Sequence, residues 1–248
     1  MLTTRLSVLD DDPASLDALW GSLEPEAGSR APRIRAVMIA SVDGRTTVDG
    51  RSAGLGTPTD QLVYHAMRAR ADHVLVGSGT VLSEGYGPAG IAEVWANRRP
   101  APPPVILVLT RSLSDPLIDH CARVGSAMAV VARSDTPADR VALARRRGVT
   151  VHELSPGPLG DGVRGLLLGL GAEEVAFEGG PRVLGALLAD GAVDELVLSF
   201  SPQLILGGET TPIAAGADLT RVPMRAVTAF TCPRGGLYTR WQITGAVR

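Results

Sequence analysis

The residues in this 248-residue chain that are best suited to chemistry include an acid, a phenol and a base on one predicted helix. Asp60, Tyr64 and Arg68 stand at spacings of i, i+4 and i+8 and therefore share one helix face. On a face that points at a crevice, such a set could grip a polar heterocycle and an anionic tail. Residues 57–60 (TPTD) also have a purely structural interpretation, because they form an N-cap, a first-turn proline and a first-turn acid.

Two glycine-containing turns follow predicted buried strands. Residues 77–80 (GSGT) and residues 178–184 (EGGPRVL) each lead from a strand into a predicted helix. Glycine allows the backbone to approach a ligand closely, and a helix N-terminus offers N–H groups to phosphate oxygens. Tight turns use the same residues without any ligand. Two such turns at two strand ends nevertheless favour a dinucleotide, and Glu178 is placed at a strand end where a substrate would lie.

A polar loop, residues 41–52 (SVDGRTTVDGRS), follows the first long predicted strand and contains two Asp-Gly steps. Such steps indicate tight turns. The loop is interpreted either as a surface hairpin or as a segment that covers a ligand, since ligands in open α/β sheets lie beyond the carboxyl ends of strands. The glycine pattern G-x-G-x-x-G does not follow this strand, which disfavours an ordinary Rossmann site.

These segments require an α/β sheet to position them. Short apolar runs alternate with amphipathic stretches, which predicts a single α/β domain with a mixed, mostly parallel central sheet flanked by helices. Predicted strands are residues 34–40, 73–76, 105–109, 127–132, 149–154, 175–177 and 196–200; predicted helices lie near 59–71, 137–147, 161–171 and 181–191.

The two ends of the chain differ from this pattern. Residues 225–231 and 237–244 are expected to form a C-terminal antiparallel hairpin. Residues 1–32, with a short helix near 16–23, are rich in Asp, Pro, Glu and Ser and are expected to be an N-terminal arm outside the core, which leaves residues 33–248 as the domain. Residues 96–104 (ANRRPAPPP) predict a surface loop.

Composition excludes several functions. A net charge of −2 gives no electrostatic basis for binding nucleic acid or an anionic membrane. Cys121 and Cys232 have no partners at metal-ligand spacing and make no disulfide framework, so we expect no metal site and a cytoplasmic location. We find no membrane-spanning run and no signal-peptide pattern.

Four strings carry a family resemblance: SVDGR…S, HAMRARADHVLVGSGTVLSE, VAFEGGPRVLGALL and SPQLILGG. In this order they resemble the reductase domain of the riboflavin-biosynthesis deaminase/reductase and its stand-alone pyrimidine-reductase relatives, over roughly residues 33–245. The resemblance implies a dihydrofolate-reductase-like fold, NADPH as cofactor, a ribosylaminopyrimidine phosphate as substrate, and a homodimer. The zinc deaminase domain that often precedes this reductase is missing from the sequence, which predicts a single-function reductase.

The resemblance also implies roles for individual residues. Ser52, Arg68 and Glu178 match substrate contacts. Arg111 matches a position near the adenosine 2′-phosphate, where a cation favours NADPH; a solvated loop arginine is the alternative. The positions implied to contact the cofactor are Ile39, Gly54, Leu55, Gly56, Gly77, Thr80, Glu84, Arg111, Gly179, Gly180, Pro181, Arg182, Val183 and Leu184.

Two departures from the family pattern open an alternative. Ser52 is followed by AGLG, where the family usually has Trp two residues after the serine. Residues 84–91 (EGYGPAGI) end in Ile91, where the family has an arginine. Pro58-Thr59-Asp60 meanwhile resembles the P-x-D of bacterial dihydrofolate reductases, whose buried acid binds the pterin. A dihydrofolate or pterin reductase is therefore the second candidate.

The expected mechanism is hydride transfer from NADPH to a C=N or masked aldehyde carbon, with the protein positioning both rings. Asp60 and Glu178 are the predicted catalytic residues: Asp60 biases protonation of the heterocycle, and Glu178 orients its amino or hydroxyl groups. Tyr64 shares their face, and Arg68 is expected to pair with an anionic tail. A third candidate is a non-catalytic NADP-binding regulator.

Overall fold

The computed structural model describes residues 7–25, 31–99, 101–208, 211–216 and 221–245. The strands are β1 (Ser7–Val8), β2 (Arg33–Ser41), β3 (His73–Gly77), β4 (Val105–Thr110), β5 (Met128–Ala132), β6 (Thr150–Glu153), β7 (Glu174–Phe177), β8 (Glu195–Ser201), β9 (Met224–Thr231) and β10 (Leu237–Ile243). The α-helices are α1 (Pro13–Ser22), α2 (Pro58–Arg70), α3 (Ser78–Glu84), α4 (Glu93–Ala96), α5 (Asp115–Val124), α6 (Ala138–Arg146), α7 (Leu159–Gly169) and α8 (Pro181–Ala189).

Within the described residues the strands form a 10-stranded sheet in the order β1-β9-β10-β8-β2-β7-β3-β4-β5-β6. All neighbours from β8 to β6 are parallel, whereas β10 runs antiparallel to both β8 and β9. The predicted fold class is therefore confirmed, including the mixed sheet and the C-terminal hairpin. The predicted strands and helices all occur, with ends shifted by at most three residues.

Strands β4 and β5 are almost entirely apolar because helices cover both faces of the sheet. Alternate residues of β4 enter different cores: Leu107 and Leu109 join one cluster, and Ile106 and Val108 join the other. Because β3, β4, β5 and β7 run parallel, their carboxyl ends meet at one edge of the sheet.

The N-terminal segment contributes to the core, in contrast to the expectation that it lies outside it. Leu9, Leu16, Leu19 and Leu23 are buried in a third apolar cluster, and the indole of Trp20 stacks on Trp95 with ring centroids 5.6 Å apart. The polar composition of residues 1–32 concealed this because the buried leucines are few and scattered, with two in α1 and one on either side of it. Asp12 caps that helix by accepting the N–H groups of Ala14 and Ser15.

Helices α4 and α5 were not among the predicted helical stretches. Helix α3 is the helix into which residues 77–80 were expected to lead, and it begins directly after β3 with Gly77 as its N-cap. Helix α5 buries Leu117, Ile118 and Cys121, but it is short and interrupted by charged residues. None of the helices in the described ranges is long and apolar enough to cross a membrane.

Candidate active site

A cavity of about 1140 Å³ opens at the carboxyl ends of the parallel strands. Its walls come from the middle of β2, the loop after it, α2, and the residues that follow β3, β4, β5 and β7. Ligands in open α/β sheets bind at this edge. We call its two parts the glycine end (residues 77–80 and 179–183) and the acidic end (Asp60, Tyr64, Tyr86 and Glu178).

At the glycine end the two predicted turns pack against each other. The N–H of Gly77 donates to the carbonyl of Gly179 at 2.7 Å. A Cβ on Gly180 would lie 2.8 Å from Thr80 Oγ1, and one on Gly77 would lie 3.0 Å from Val183 Cγ2. The Gly179–Gly180 peptide is cis, and Gly179 has a φ of 110°. Glycine is therefore required here by close approach and by backbone conformation.

Helix α8 begins at this turn with Gly180 as its N-cap, and no side chain caps it. An uncapped helix N-terminus favours an anion such as a pyrophosphate. Arg182 in its first turn is exposed and lines the cavity.

Two further arginines line the cavity beyond the sheet, just after the ends of β4 and β5. Arg111 Nε lies 3.3 Å from Asp135 Oδ2, and Arg133 Nε lies 3.3 Å from Asp135 Oδ1. Arg111 is 77% exposed, so its guanidinium is available to a ligand. Glycine turns, a helix N-terminus and cations along one wall fit the phosphates of a dinucleotide such as NADPH.

At the acidic end, Asp60 lies in the first turn of α2 and lines the cavity. Thr57 caps this helix, because its hydroxyl accepts the N–H of Asp60 at 3.0 Å, as the sequence predicted. Burial raises the pKa of Asp60, and a hydrogen bond with Ser199 on β8 opposes that rise. Asp60 thus keeps its proton to a higher pH than an exposed aspartate.

Glu178 follows the last residue of β7 and is held by two side chains of α2. Arg68 binds both of its carboxylate oxygens, with Nε 2.6 Å from Oε1 and Nη2 2.7 Å from Oε2. The Tyr64 hydroxyl donates to Oε2 at 2.9 Å. A bidentate arginine fixes the plane of a carboxylate. Glu178 is therefore a rigid acceptor.

Two phenols extend this network into the cavity. Tyr86 is hydrogen-bonded to Tyr64, and burial followed by the charge of Glu178 raises the pKa of both hydroxyl groups. The guanidinium carbon of Arg68 lies 4.5 Å from the Tyr64 ring centroid and 5.6 Å from that of Tyr86. Both phenols are therefore neutral hydrogen-bonding groups, oriented by a cation behind them.

The loop after β2 borders the cavity and contains a short hairpin. Val48 and Arg51 exchange two backbone hydrogen bonds across Asp49 and Gly50, whose φ angles are 51° and 78°. Positive φ at both central residues is the geometry of a two-residue hairpin turn. The loop is therefore locally a hairpin, and its residues 46, 47, 50, 52 and 53 line the cavity. That the loop covers a ligand stays a prediction.

Glu84 anchors this loop. Its Oε1 accepts the backbone N–H of Ser52 at 2.8 Å and the Ser52 hydroxyl at 3.0 Å. Ser52 and Glu84, one predicted for the substrate and the other for the cofactor, are thus brought together.

Most predicted site residues line this cavity, but four do not. Those that line it are Ile39, Ser52, Gly56, Asp60, Tyr64, Gly77, Thr80, Glu84, Arg111, Glu178, Gly179, Gly180, Pro181, Arg182 and Val183. Arg68, expected as a clamp for an anionic tail, lies behind Tyr64 because Glu178 engages it. Leu55 and Leu184 are buried in the protein, and Gly54 lies beside the side chain of Val48.

Sequence reasoning missed Tyr86, Gln61 and Arg133, all of which line the cavity. A signal existed for Arg133, since it follows a parallel strand as Arg111 does. Gln61 is next to Asp60 on α2. Tyr86 lies in a stretch without periodicity, so only the fold brings it to Tyr64.

Comparisons with known proteins identify a family and several relatives. The model of the RibD C-terminal domain family matches residues 32–237. The riboflavin biosynthesis protein RibD of Mycobacterium tuberculosis (strain CDC 1551 / Oshkosh) is 30% identical over 186 residues. That match covers 73% of this chain and 45% of the relative, so the chain spans about half the length of the curated relative it matches.

Two solved structures share the fold. A pyrimidine reductase-like protein from Corynebacterium diphtheriae superposes with a TM-score of 0.77 at 25% identity, covering 93% of this chain and 98% of that one. The riboflavin biosynthesis reductase Rib7 of Saccharomyces cerevisiae superposes with a TM-score of 0.64 at 18% identity, covering 92% and 99%. The chain belongs to the RibD C-terminal domain family.

Proposed function

We propose that the protein is an NADPH-dependent reductase of a ribosylaminopyrimidine, the heterocycle whose phosphate ester the sequence resemblance implies as substrate. The observation that carries this proposal is the continuity of the cavity. One space joins an end suited to dinucleotide phosphates with an end that presents Asp60, Glu178 and two phenols. A cofactor and a polar heterocycle can therefore meet within it.

In this proposal NADPH, when bound, supplies the hydride from its nicotinamide ring. The Gly77 and Gly180 turns let the backbone approach the cofactor, and Arg111 and Arg133 pair with its 2′-phosphate. Binding in one cavity holds the cofactor and the heterocycle in a fixed mutual orientation and excludes water from between them.

Asp60 and Glu178 act on the heterocycle. Asp60 hydrogen-bonds a ring nitrogen or amino group and holds a proton at its carboxyl oxygen, because burial raises its pKa. A carboxylate has about four acceptor sites, so Glu178 can accept from the substrate while it binds Arg68 and Tyr64. Glu178 thus orients the substrate's amino or hydroxyl groups.

A pterin reductase is the second candidate, and the position of Asp60 favours it. A buried carboxyl in the first turn of a helix that lines the cavity suits the amino and ring N–H groups of a pterin as well as those of an aminopyrimidine. The family match favours the aminopyrimidine.

The test is the steady-state oxidation of NADPH by purified protein with ribosylaminopyrimidines, dihydropterin and dihydrofolate. We expect the highest kcat/KM with a ribosylaminopyrimidine. Turnover of the pterins alone would establish the second candidate. Tight NADPH binding without any oxidation would overturn the proposal in favour of a regulator.

Two further properties of the protein, its quaternary state and its cellular location, are part of the proposal. We propose a homodimer, as the resemblance implies, which light scattering of the purified protein tests. A cytoplasmic location agrees with Cys121 and Cys232, which are both free and buried.

A further inference from the structure

The acidic end differs from the glycine end in the charges that face the cavity. Arg182 belongs to the glycine end, and Arg111 and Arg133 line the cavity after β4 and β5, several strands away from β8, where Asp60 bonds Ser199. Among the described residues that line the cavity, none at the acidic end is a cation, whereas Asp60 and Glu178 are both acids. This difference in charge affects whether the acidic end can bind a charged or an uncharged substrate tail.

We infer that the acidic end takes an aminopyrimidine whose tail is uncharged, such as a sugar or polyol, and discriminates against the phosphate ester. The inference rests on the proposed function and narrows its substrate class. It departs from the phosphate ester that the sequence resemblance implies.

The first step is the position of Arg68, the arginine that matches a family substrate contact. It is 8% exposed and bound by both oxygens of Glu178. Burial lowers the pKa of Arg68, but the hydrogen bonds and charge of Glu178 more than offset this, so the pKa is raised. Turning Arg68 toward a phosphate would leave Glu178 buried without its counter-charge, which is strongly unfavourable.

The second step is the start of α2, where a helix N-terminus could otherwise hold an anion. Pro58 has no N–H group, and the N–H of Asp60 is taken by the hydroxyl of Thr57. The carboxyl group of Asp60 stands in the same turn and repels an anion once it is ionised. This helix therefore does not replace the missing cation.

The third step is the chemistry of the remaining groups. Carboxylates accept hydrogen bonds, and phenols both donate and accept, so the acidic end suits hydroxyl and amino groups. A phosphate dianion would be desolvated there without a counter-charge, because Asp60 offers no positive charge and Glu178 already neutralises Arg68. A further cation near the cavity, Arg51, lies on the exposed hairpin between two lining residues.

The experiment compares one heterocycle with two tails. 5-Amino-6-(ribosylamino)uracil and its 5′-phosphate are assayed for NADPH oxidation, and each is titrated calorimetrically into the protein saturated with NADP⁺. We expect the nucleoside to have the higher kcat/KM and the lower Kd, by about tenfold or more. Equal values, or preference for the phosphate, would overturn the inference while leaving the proposed function intact.

Calorimetry separates the two proposals where turnover fails. Tighter binding of the nucleoside without oxidation of NADPH supports the inference about the tail and overturns the proposed reduction. If neither form binds, both proposals fail.

A charge-adding variant tests the cause of the preference. Gln61 is exposed and lines the cavity beside Asp60, so Gln61→Arg places a cation at the acidic end. The ratio of kcat/KM for phosphate over nucleoside should rise about tenfold, and Gln61→Met should leave it near the wild-type ratio. No rise in that ratio, or a wild-type preference for phosphate that Arg51→Gln abolishes, contradicts the inference.

Discussion

Strand β7 carries a glutamate at each end, and the two acids have similar chemistry but different surroundings. Glu174 begins the strand and accepts from Arg33 Nη2 at 2.7 Å and Arg35 Nη2 at 2.8 Å. Glu178 follows the strand and is bound by Arg68. Each is thus an acid paired with arginine, so residue type and pairing do not separate them.

The two glutamates differ in which end of β7 they occupy. At the amino end, Glu174 belongs to a packed ionic network that continues through Arg35 to Glu195 and Arg240. At the carboxyl end, the pair of Glu178 and Arg68 borders the cavity. A buried Arg–Glu pair is therefore a candidate functional group only where the fold leaves space beside it.

The largest expected effect comes from replacing the two glutamates separately. Glu178→Gln should lower kcat/KM by about 100-fold, because a neutral amide orients the substrate and Arg68 less well. Glu174→Gln should leave kcat/KM of the folded enzyme within about twofold and lower the free energy of unfolding by about 1–3 kcal/mol. Steady-state kinetics and denaturant unfolding measure the two quantities.

Equal losses of kcat/KM in the two variants would remove the distinction between the two ends of β7. Circular dichroism of each variant is the control for correct folding.

Asp60→Asn is expected to have the next largest effect, lowering kcat by about 10- to 100-fold. Because burial raises the pKa of Asp60, the wild-type rate should fall as the pH rises through that elevated pKa, where the carboxyl group loses its proton. In the variant this decline should disappear. A pH profile of kcat that is the same in both proteins would exclude Asp60 as the proton-holding group.

Arg111→Gln and Arg133→Gln should each raise the KM for NADPH by about tenfold and leave the KM for NADH nearly unchanged, because only NADPH carries the 2′-phosphate. Arg145→Gln, on an exposed arginine that pairs with Glu153 outside the cavity, is the matched control. Parallel losses with both cofactors would show that these arginines do not read the 2′-phosphate.

The smallest expected effect is on stability at the start of α2. Thr57→Ala should lower the free energy of unfolding by about 1 kcal/mol, because the N–H of Asp60 loses its cap. Thr57→Ser keeps the hydroxyl and should lose less. Chemical denaturation compares the two; an alanine variant as stable as wild type would mean that Asp60 is positioned without the cap.

The sequence predicted the fold because strand and helix periodicities are local signals. Buried apolar runs located the central strands, and Pro58 and Thr57 located the start of α2. It predicted the glycine end because Gly77 and Gly180 follow strands that must end at one edge.

The acidic end was only partly predictable, because pairing partners are set in three dimensions. Helical spacing placed Asp60 and Tyr64 on one face, but nothing local indicates that Arg68 meets Glu178 across 110 residues. Tyr86 comes from a stretch without periodicity, and the leucines of α1 pack on residues far along the chain. Such contacts depend on the assembled sheet.

The most direct test of the account follows the transferred hydrogen itself. The protein is incubated with a ribosylaminopyrimidine and with NADPH that carries deuterium at C4 of its nicotinamide. The mass of the pyrimidine product is then measured by mass spectrometry. Hydride transfer from NADPH to the pyrimidine predicts a reduced product that contains one deuterium. The Glu178→Gln variant should form this product much more slowly than the Glu174→Gln variant. Bound NADPH with an unlabelled, unreduced pyrimidine would contradict it.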